Sequence, residues 1–85
     1  MYIQIGQNTV VTEESIIGVF DIDNTTSSHL TRKFLNAAEK AGNVINISED
    51  IPKSFVLCCE NGKMTIYLSQ LLPSTLSRRA EAKQF

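Results

Sequence analysis

The feature that most constrains the fold of this sequence is Asn61-Gly62, which separates two apolar runs within residues 53–68. A two-residue type I′ turn needs positive φ at both central positions, and Asn-Gly adopts it readily. The sequence therefore predicts a β-hairpin whose turn fixes the strand register. The faces of its first strand carry Phe55, Leu57 and Cys59 on one side and Val56 and Cys58 on the other. Because both faces are apolar, we expect the hairpin to lie in the middle of a sheet.

Four further short segments have the composition and spacing of β-strands. They cover residues 2–5, 9–12, 16–22 and 43–47. Each is rich in aliphatic residues and is bounded by turn-forming or polar residues. The third contains Gly18, a residue type that allows a bulge or the close approach of a neighbour. Together with the hairpin, these segments predict five to six short strands.

The clearest helical pattern covers about residues 29–41 and follows a polar segment that ends in Ser27-Ser28. Either serine can cap the helix by accepting a hydrogen bond from an N–H group of the first turn. Gly42 supplies a residue that adopts the left-handed conformation of a helix C-terminal cap. The apolar positions that recur with helical spacing are Leu30, Phe34, Ala37, Ala38 and Ala41.

A second, shorter helix is predicted near the end of the chain, where Ser74 or Thr75 can cap it and Leu76 and Ala80 provide apolar contacts. The element order is three strands, a helix, three strands and a helix. We therefore predict a single α+β domain over residues 1–85. It has a small, mainly antiparallel sheet of five to six short strands, a central helix and a short C-terminal helix. Apolar helix faces cover one side of the sheet.

The small size of the chain favours self-association. A chain of 85 residues buries roughly two-thirds of its unfolded surface, which leaves a thin stability margin for one subunit. Leu71, Leu72 and Leu76 cluster near the end of the sequence. They can close the core, or they can equally form an apolar strip that a neighbouring subunit covers. We predict a homo-oligomer and take these three leucines as candidate interface residues.

The motifs that mark enzymes and metal sites are weak in this sequence. Asp21 and Asp23 form an Asp-x-Asp motif. An EF-hand loop that starts at Asp21 would need glycine and glutamate where Thr26 and Arg32 stand. His29 has no nearby cysteine or carboxylate that would mark a nucleophilic site. We therefore predict no enzymatic activity, metal site, cofactor or small-molecule substrate.

The cysteines and the N-terminus indicate a cytoplasmic protein. Cys58 and Cys59 point to opposite faces of one predicted strand, so they are poorly placed to bridge each other. The opening Met-Tyr-Ile-Gln-Ile-Gly lacks the basic region and apolar core of a signal peptide. No apolar run approaches the ~20 residues that span a bilayer. We expect reduced thiols and no membrane partner.

The charge balance argues against a monomeric DNA-binding protein that relies on one basic patch. The formal net charge is −1 and the pI is near 5.7, whereas such proteins are usually basic. Two basic pairs, Arg32-Lys33 and Arg78-Arg79, are nevertheless available. A basic patch that binds DNA too weakly in one subunit can bind it when several subunits of an oligomer contact the DNA backbone, because each phosphate contact releases counterions.

Several segments carry a family resemblance through their order and spacing. They are the opening hexapeptide, the run Val-Val-Thr-x-x-x-Ile-Ile-Gly-Val-Phe-Asp at residues 10–21, Pro52-Lys53-Ser54, and the ending Tyr-Leu-Ser-Gln-Leu-Leu-Pro-Ser-Thr-Leu-Ser-Arg-Arg-Ala at residues 67–80. Together they cover nearly the full length. The chain resembles the RemA/RemB family of small bacterial regulators of extracellular-matrix and biofilm genes, and it is more similar to the RemB branch.

The resemblance implies a ring-forming regulator of transcription that binds double-stranded DNA. In the RemA branch, arginines before the third strand and before the first hairpin strand contact DNA. The first matching position here is Ser15, which follows two glutamates, and the second pair falls at about Asp50 and Ile51. Lys53 stays basic slightly later, and Arg32 and Lys33 keep the basic character of the matching helix. These three are the candidate nucleic-acid-binding residues.

Two classes of function follow. In the first, the protein is a cytoplasmic, oligomeric regulator of matrix-gene expression that contacts DNA phosphates. In the alternative, it is an assembly or protein-interaction module without DNA contact. One continuous basic rim on the assembled oligomer would favour the first class, and a mixed or acidic rim would favour the second.

Overall fold

The computed structural model describes residues 2–22 and 28–81. Within these residues it confirms the predicted α+β class, with two helices and six short strands. In chain order the elements are β1 (Tyr2–Gln4), β2 (Val10–Thr12), a 3₁₀ turn (Glu13–Ser15), β3 (Ile16–Asp21), α1 (Ser28–Lys40), β4 (Val44–Asn46), β5 (Ser54–Glu60), β6 (Lys63–Ser69) and α2 (Pro73–Glu81). Asp23 and the predicted cap residue Ser27 lie outside the described residues.

The six strands form two sheets. β1 and β2 pair with each other as an antiparallel hairpin, while the main sheet has the order β3-β5-β6-β4. β5 is antiparallel to both β3 and β6, and β4 runs parallel to β6. A single sheet of five to six strands is therefore slightly too large a prediction, because the two short N-terminal strands form a separate pair. The sheet is mainly antiparallel, as expected.

The hairpin at the centre of the main sheet has the predicted turn. Asn61 and Gly62 have φ values of 54° and 78°, and Glu60 pairs with Lys63 across the two-residue loop. Positive φ at both central positions is what a type I′ turn requires. The register predicted from the turn is therefore confirmed, and β5 and β6 occupy the two central positions of the sheet.

The edge strand β3 contains a bulge next to Gly18. Ile16 pairs with Cys58 while Gly18 pairs with Leu57, so Ile17 is an extra residue on this strand. The sequence indicated such an irregularity from the glycine alone, and it is confirmed. A bulge bends an edge strand and makes it a poorer template for further strand pairing.

One face of the main sheet forms the core of the domain. Val56 and Cys58 of β5 are buried against the β1–β2 hairpin and α2. The other buried members of this cluster are Ile3, Ile5, Val11 and Leu76. The core therefore joins the first and last elements of the chain across the sheet.

Two buried serines hydrogen-bond this side of the sheet to the segments that cover it. The Ser69 hydroxyl donates a hydrogen bond to the carbonyl of Ile5 at 2.7 Å. The Ser54 hydroxyl donates to the carbonyl of Leu71 at 2.8 Å. Both side chains are fully buried, so these bonds satisfy groups that would otherwise destabilise the fold.

The opposite face of the sheet carries α1. Phe55 points to this face, and its ring centroid lies 6.2 Å from that of Phe34 in α1. Ile66 is paired with Leu57 across the two strands and therefore lies on the same face; it is also buried. The two helices therefore cover different faces of the sheet, not the one side that the sequence pattern indicated.

The C-terminus of α1 has the predicted glycine cap. The N–H of Asn43 donates to the carbonyl of Ala38, and the N–H of Gly42 donates to the carbonyl of Glu39, each at 3.0 Å. Gly42 has a φ of 78°. This is the Schellman pattern, and it satisfies carbonyls that a helix end leaves without partners.

The second helix begins earlier than predicted. Pro73 is its first residue, and the carbonyl of Leu72 accepts hydrogen bonds from the N–H groups of Thr75 and Leu76. Proline fits this position because its φ is already helical and its missing N–H would have no partner there. The cap is Leu72, so the predicted caps Ser74 and Thr75 are two and three residues too late.

Candidate nucleic-acid interface

Lys53 lies at a fixed point of the backbone, immediately before β5. Its N–H donates to the carbonyl of Ser69 at 2.8 Å, and its carbonyl accepts from the N–H of Ile22 at 3.2 Å. It therefore joins the end of β6 to the residue that follows β3. The side chain is exposed. A charged group on an anchored backbone loses little backbone entropy when it binds a phosphate.

Arg32 shares a groove with the segment that leads to Lys53. This groove, of about 360 Å³, lies between α1 and the chain before β5, and both Arg32 and Pro52 line it. Lys33 is the next residue of α1, about 100° further around the helix, and it is exposed. The structure thus brings Arg32 and the Lys53 segment to one edge of the domain, with Lys33 on a neighbouring helical face.

Ser15, which the family resemblance matched to a position expected to contact DNA, has a structural role in this chain. Its side chain is buried, and its hydroxyl donates to the carbonyl of Thr12 at 2.7 Å. It also hydrogen-bonds the thiol of Cys58. A side chain held in this way supports the 3₁₀ turn before β3.

The two glutamates before Ser15 lie far from Lys53. β3 and β5 are antiparallel, with Ile16 opposite Cys58 and Asp21 opposite Ser54. The 3₁₀ turn of Glu13 and Glu14 therefore lies at the far end of β5, roughly 15–20 Å along the strand. Within one subunit, this exceeds the screening length of about 10 Å at moderate salt, so the glutamates have little influence on Lys53.

An acidic loop lies closer to Lys53. The side chain of Asp50 is exposed, and its carboxylate accepts from the N–H of Ile51 at 2.8 Å. The loop is also tied to the end of β6, because the N–H of Glu49 donates to the Gln70 side chain at 2.8 Å. This edge of the domain therefore carries both signs of charge.

The two arginines of the C-terminal basic pair differ in role. Arg79 donates from Nη1 to the carbonyl of Gln4 at 2.9 Å and so ties α2 to β1. Arg78 is exposed. Sequence reasoning missed the structural role of Arg79, because its partner is a backbone carbonyl 75 positions away and no sequence pattern marks such a contact.

The three candidate interface leucines occupy different environments. Leu76 is 2% exposed and belongs to the core cluster, and Leu71 packs against that cluster. Leu72 is 52% exposed. The sequence left two alternatives for these leucines, closure of the core and contact with a neighbouring subunit. Leu76 closes the core, while Leu72 leaves apolar surface exposed that a neighbour could cover.

The two cysteines are free and face different surroundings. Cys58 is buried and Cys59 is exposed. Burial raises the pKa of the Cys58 thiol above its ordinary value of 9.0. A hydrogen bond between the thiol and the Ser15 side chain opposes this rise, and the Glu60 carboxylate adds to it. A raised pKa leaves less thiolate near neutral pH, so Cys58 is a poor nucleophile.

The part of the chain that the structure describes contains neither a metal-binding cluster nor a membrane-spanning helix. Over residues 2–22 and 28–81, no three His, Cys, Asp or Glu side chains come together in a way that could hold a metal ion. In the same part of the chain, neither helix has the length and apolar character needed to cross a bilayer.

Comparison with known proteins identifies the family. The family described as RemA-like, "Extracellular matrix regulatory protein A-like", matches residues 2–80. The chain is 35% identical over 81 residues to "Extracellular matrix regulatory protein B" of Bacillus subtilis (strain 168), an alignment that covers 95% of this chain and 91% of that protein. The resemblance drawn from the sequence segments is thereby confirmed, and the chain belongs to the RemA-like family.

Proposed function

We propose that this protein regulates the expression of extracellular-matrix genes as a homo-oligomer that holds double-stranded DNA by its phosphates. Its membership of the RemA-like family and its similarity to a protein called an extracellular matrix regulatory protein support the regulatory role. The observation that carries the DNA contact is the shared groove of Arg32 and the segment that leads to Lys53. Lys33 adds a third exposed cation on the neighbouring face of α1.

Repetition supplies the affinity that one subunit lacks. Three cations beside an acidic loop, on a chain of net charge −1, hold a phosphate backbone weakly. Several copies on one duplex multiply the contacts, and each neutralised phosphate adds a counterion-release contribution. Lysine and arginine at an exposed edge position a protein on the backbone and do not by themselves read base sequence. We therefore propose low-salt binding with weak sequence preference.

A salt titration with two matched variants tests the DNA contact. The log–log slope of affinity against salt should be about −0.9 for each neutralised phosphate. Lys53→Ala should weaken binding similarly for all fragments and flatten the slope. Lys63→Ala is the control, because Lys63 is also exposed but lies beside the hairpin turn, at the opposite end of β5. The fragments should include the upstream region of the gene that encodes this protein.

Two results would redirect the proposal. If a folded oligomer binds no fragment at low salt, DNA contact is excluded in favour of the protein-interaction module. If Lys53→Ala and Lys63→Ala weaken binding equally, DNA binding stands but its site moves, with the exposed Arg78 as the next candidate.

The second candidate function is an assembly or protein-interaction module. Exposed apolar side chains favour it: Phe20, Leu30 and Phe34 are each more than two-fifths exposed and line one groove. Apolar surface gathered in this way marks interaction sites on small proteins. The same titration separates the two functions, because a module that acts only through proteins gives no salt-dependent DNA binding.

A further inference from the structure

The groove between α1 and the chain before β5 has an apolar lining that a phosphate backbone does not fill. Most of the lining is aliphatic and comes from five separate segments of the chain: Ile22, Leu35, Val44, Ile51, Pro52 and Leu68. A phosphate placed on such a surface would lose its water without gaining polar partners, which is costly. A DNA backbone would therefore contact Arg32 at the edge of this groove and leave its apolar interior open.

The two sides of the groove are held in place by the fold. On one side, α1 presents residues that follow the spacing of a single helix face: Arg32, Leu35, Asn36 and Glu39. On the other side, hydrogen bonds hold the segment that contains Ile51 and Pro52. The N–H of Ile51 donates to the Asp50 carboxylate, and the N–H of Lys53 donates to the carbonyl of Ser69, each at 2.8 Å. A groove formed before binding costs little ordering entropy when a ligand enters.

The size and lining of the groove are those of a small-molecule site. Its volume is about 360 Å³. Since a water molecule takes about 30 Å³ of the liquid, the groove holds roughly a dozen non-hydrogen atoms. Sites for small molecules have volumes of about 300–1,000 Å³ and combine an apolar lining with a few polar groups. Here the polar groups are Arg32, Asn36 and Glu39, which are all exposed.

The charges at the groove give it a direction. Arg32 and Glu39 lie about 10 Å apart along the axis of α1. Over residues 2–22 and 28–81, no hydrogen bond or ion pair engages the guanidinium of Arg32. An anionic group is attracted to this end of the groove and repelled from the Glu39 end. A guanidinium also binds a carboxylate through two parallel hydrogen bonds, which an ammonium group at Glu39 cannot match in geometry.

We propose that this groove binds a small amphipathic carboxylate, with its apolar body on the aliphatic lining and its carboxylate on Arg32. The inference rests on the proposed function and adds its regulation. Because the bound carboxylate occupies the guanidinium of Arg32, the ligand competes with DNA for this cation. An acid of about eight to ten carbons fits the volume. Burial of its chain supplies the affinity, and Arg32 supplies the preference for an anion.

Three matched probes test the site on the full chain. Octanoate, 1-octanol and octylammonium carry the same alkyl chain and differ in the head group. Equilibrium dialysis should give octanoate a dissociation constant about tenfold or more below that of octanol, because only octanoate pairs with Arg32. Octylammonium tests the opposite direction of binding, with its head group at Glu39. Methyl NMR signals of Leu35 and Val44 should shift with octanoate and saturate at the same dissociation constant.

Two charge variants isolate the contribution of Arg32. Arg32→Gln should raise the dissociation constant of octanoate about tenfold, to that of octanol, and should change the value for octanol by less than about twofold. Lys33→Gln is the matched control. It removes the same charge from the next residue of α1, which is exposed and does not line the groove, so the preference for octanoate should persist.

A third variant tests the apolar lining. Ile51→Ser removes part of it at a side chain that is 76% exposed, so the fold should be unaffected. It should weaken the binding of octanoate and octanol alike by about tenfold, since both lose the same apolar contact. Ile17→Ser is the control, because Ile17 is 59% exposed and lies outside the groove. Circular dichroism checks that each variant is folded.

Competition with duplex DNA tests the regulation. At low salt, octanoate at a concentration ten times its own dissociation constant should raise the dissociation constant for DNA, measured by fluorescence anisotropy, whereas saturating octanol should not. In Ile51→Ser, about tenfold more octanoate should be needed for the same effect. In Lys33→Gln, the effect of octanoate should remain.

The ligand site is overturned if octanoate binds no better than octanol, if Arg32→Gln keeps the preference for octanoate, or if octylammonium binds most tightly. Octanoate that binds through Arg32 without weakening DNA binding overturns the competition. A protein that binds DNA but not octanoate overturns the ligand site and leaves the proposed function standing. A protein that binds octanoate through Arg32 but no DNA supports the ligand site and overturns the DNA function.

Discussion

The ring of Phe20 stacks on the ring of Phe55 at the edge of the main sheet. Their centroids are 4.9 Å apart and their planes differ by 20°. The two residues are opposite each other on β3 and β5, and Gly18 lies two positions earlier on β3. A Cβ atom at Gly18 would lie 2.8 Å from the Cε2 and Cζ atoms of Phe20. The glycine therefore provides the space in which the stacked ring sits.

Gly18→Ala should displace this ring. The added methyl group must push Phe20 away from its stacked position, which weakens an aromatic pair worth about 1 kcal/mol and strains the bulge. We expect the free energy of unfolding to fall by about 1–2 kcal/mol, measured by urea denaturation. In a Phe20→Ala background, the same glycine change should cost clearly less, because the ring is gone. Equal costs in the two backgrounds would show that the ring is not the cause.

Gly62→Val should destabilise the central hairpin. Gly62 has a φ of 78°, a conformation that β-branched residues strongly disfavour, although no atom stands within 4 Å of the position an added Cβ would take. The loss should be about 1–3 kcal/mol, and it is due to backbone strain alone. Lys63→Val, one position later and within β6, is the matched control. A loss under about 0.5 kcal/mol for Gly62→Val would contradict the strain argument.

Stability should decrease in alkaline solution. Burial raises the pKa of Cys58 above 9.0 and that of Tyr67 above 10.0. Between the unfolded and folded pKa values, the unfolded chain loses protons that the folded chain keeps. The stabilisation of the folded state by these two protonated groups is therefore fully present below about pH 9 and is lost as pH rises. Urea denaturation from about pH 7 to pH 11 should show this decline, and Cys58→Ala together with Tyr67→Phe should flatten it. An unchanged pH profile in the double variant would exclude these two groups as its source.

Leu76→Ala and Leu72→Ala should differ in their effects on the subunit. Leu76 is buried in the core cluster, so truncation leaves a cavity and should cost about 2–5 kcal/mol. Leu72 is half-exposed, and its truncation should cost less than about 1 kcal/mol. Both are measured by urea denaturation at a fixed protein concentration. Similar losses would mean that a neighbouring subunit buries Leu72 as deeply as the core buries Leu76.

The parts of the fold that the sequence predicted are those set by local chemistry. The Asn61-Gly62 turn and the Gly42 cap depend on backbone conformations that few residues adopt, so their residue types are informative. The helix range was predicted to within one residue at each end. The bulge at Gly18 follows from the same reasoning.

The parts that could not be predicted depend on contacts between distant segments. Nothing local indicates that β4 runs parallel to β6 or that the first two strands form a sheet of their own. The hydroxyl of Ser69 reaches a carbonyl 64 positions away. Such contacts are decided by tertiary packing, which short-range patterns do not encode.

The residues of the candidate site were proposed from the sequence, whereas their arrangement in space was not. Arg32 and the Lys53 segment share a groove, which helical spacing could not reveal. Helical spacing located the apolar face of α1, but not the rotation that leaves Leu30 exposed. The orientation of a helix on a sheet depends on which side chains pack best, and the periodicity of one helix does not determine it.

The strand order has a consequence for how the protein is made. β6 pairs with both β5 and β4, yet among the described strands it is the last to be synthesised. β4, which pairs in parallel with β6, therefore stays unpaired until residue 69 has left the ribosome. Because β6 joins β5 to β4, the four-stranded sheet forms only after residue 69 is available. The tight β5–β6 turn then supplies, in one local step, the surface on which the earlier strands assemble.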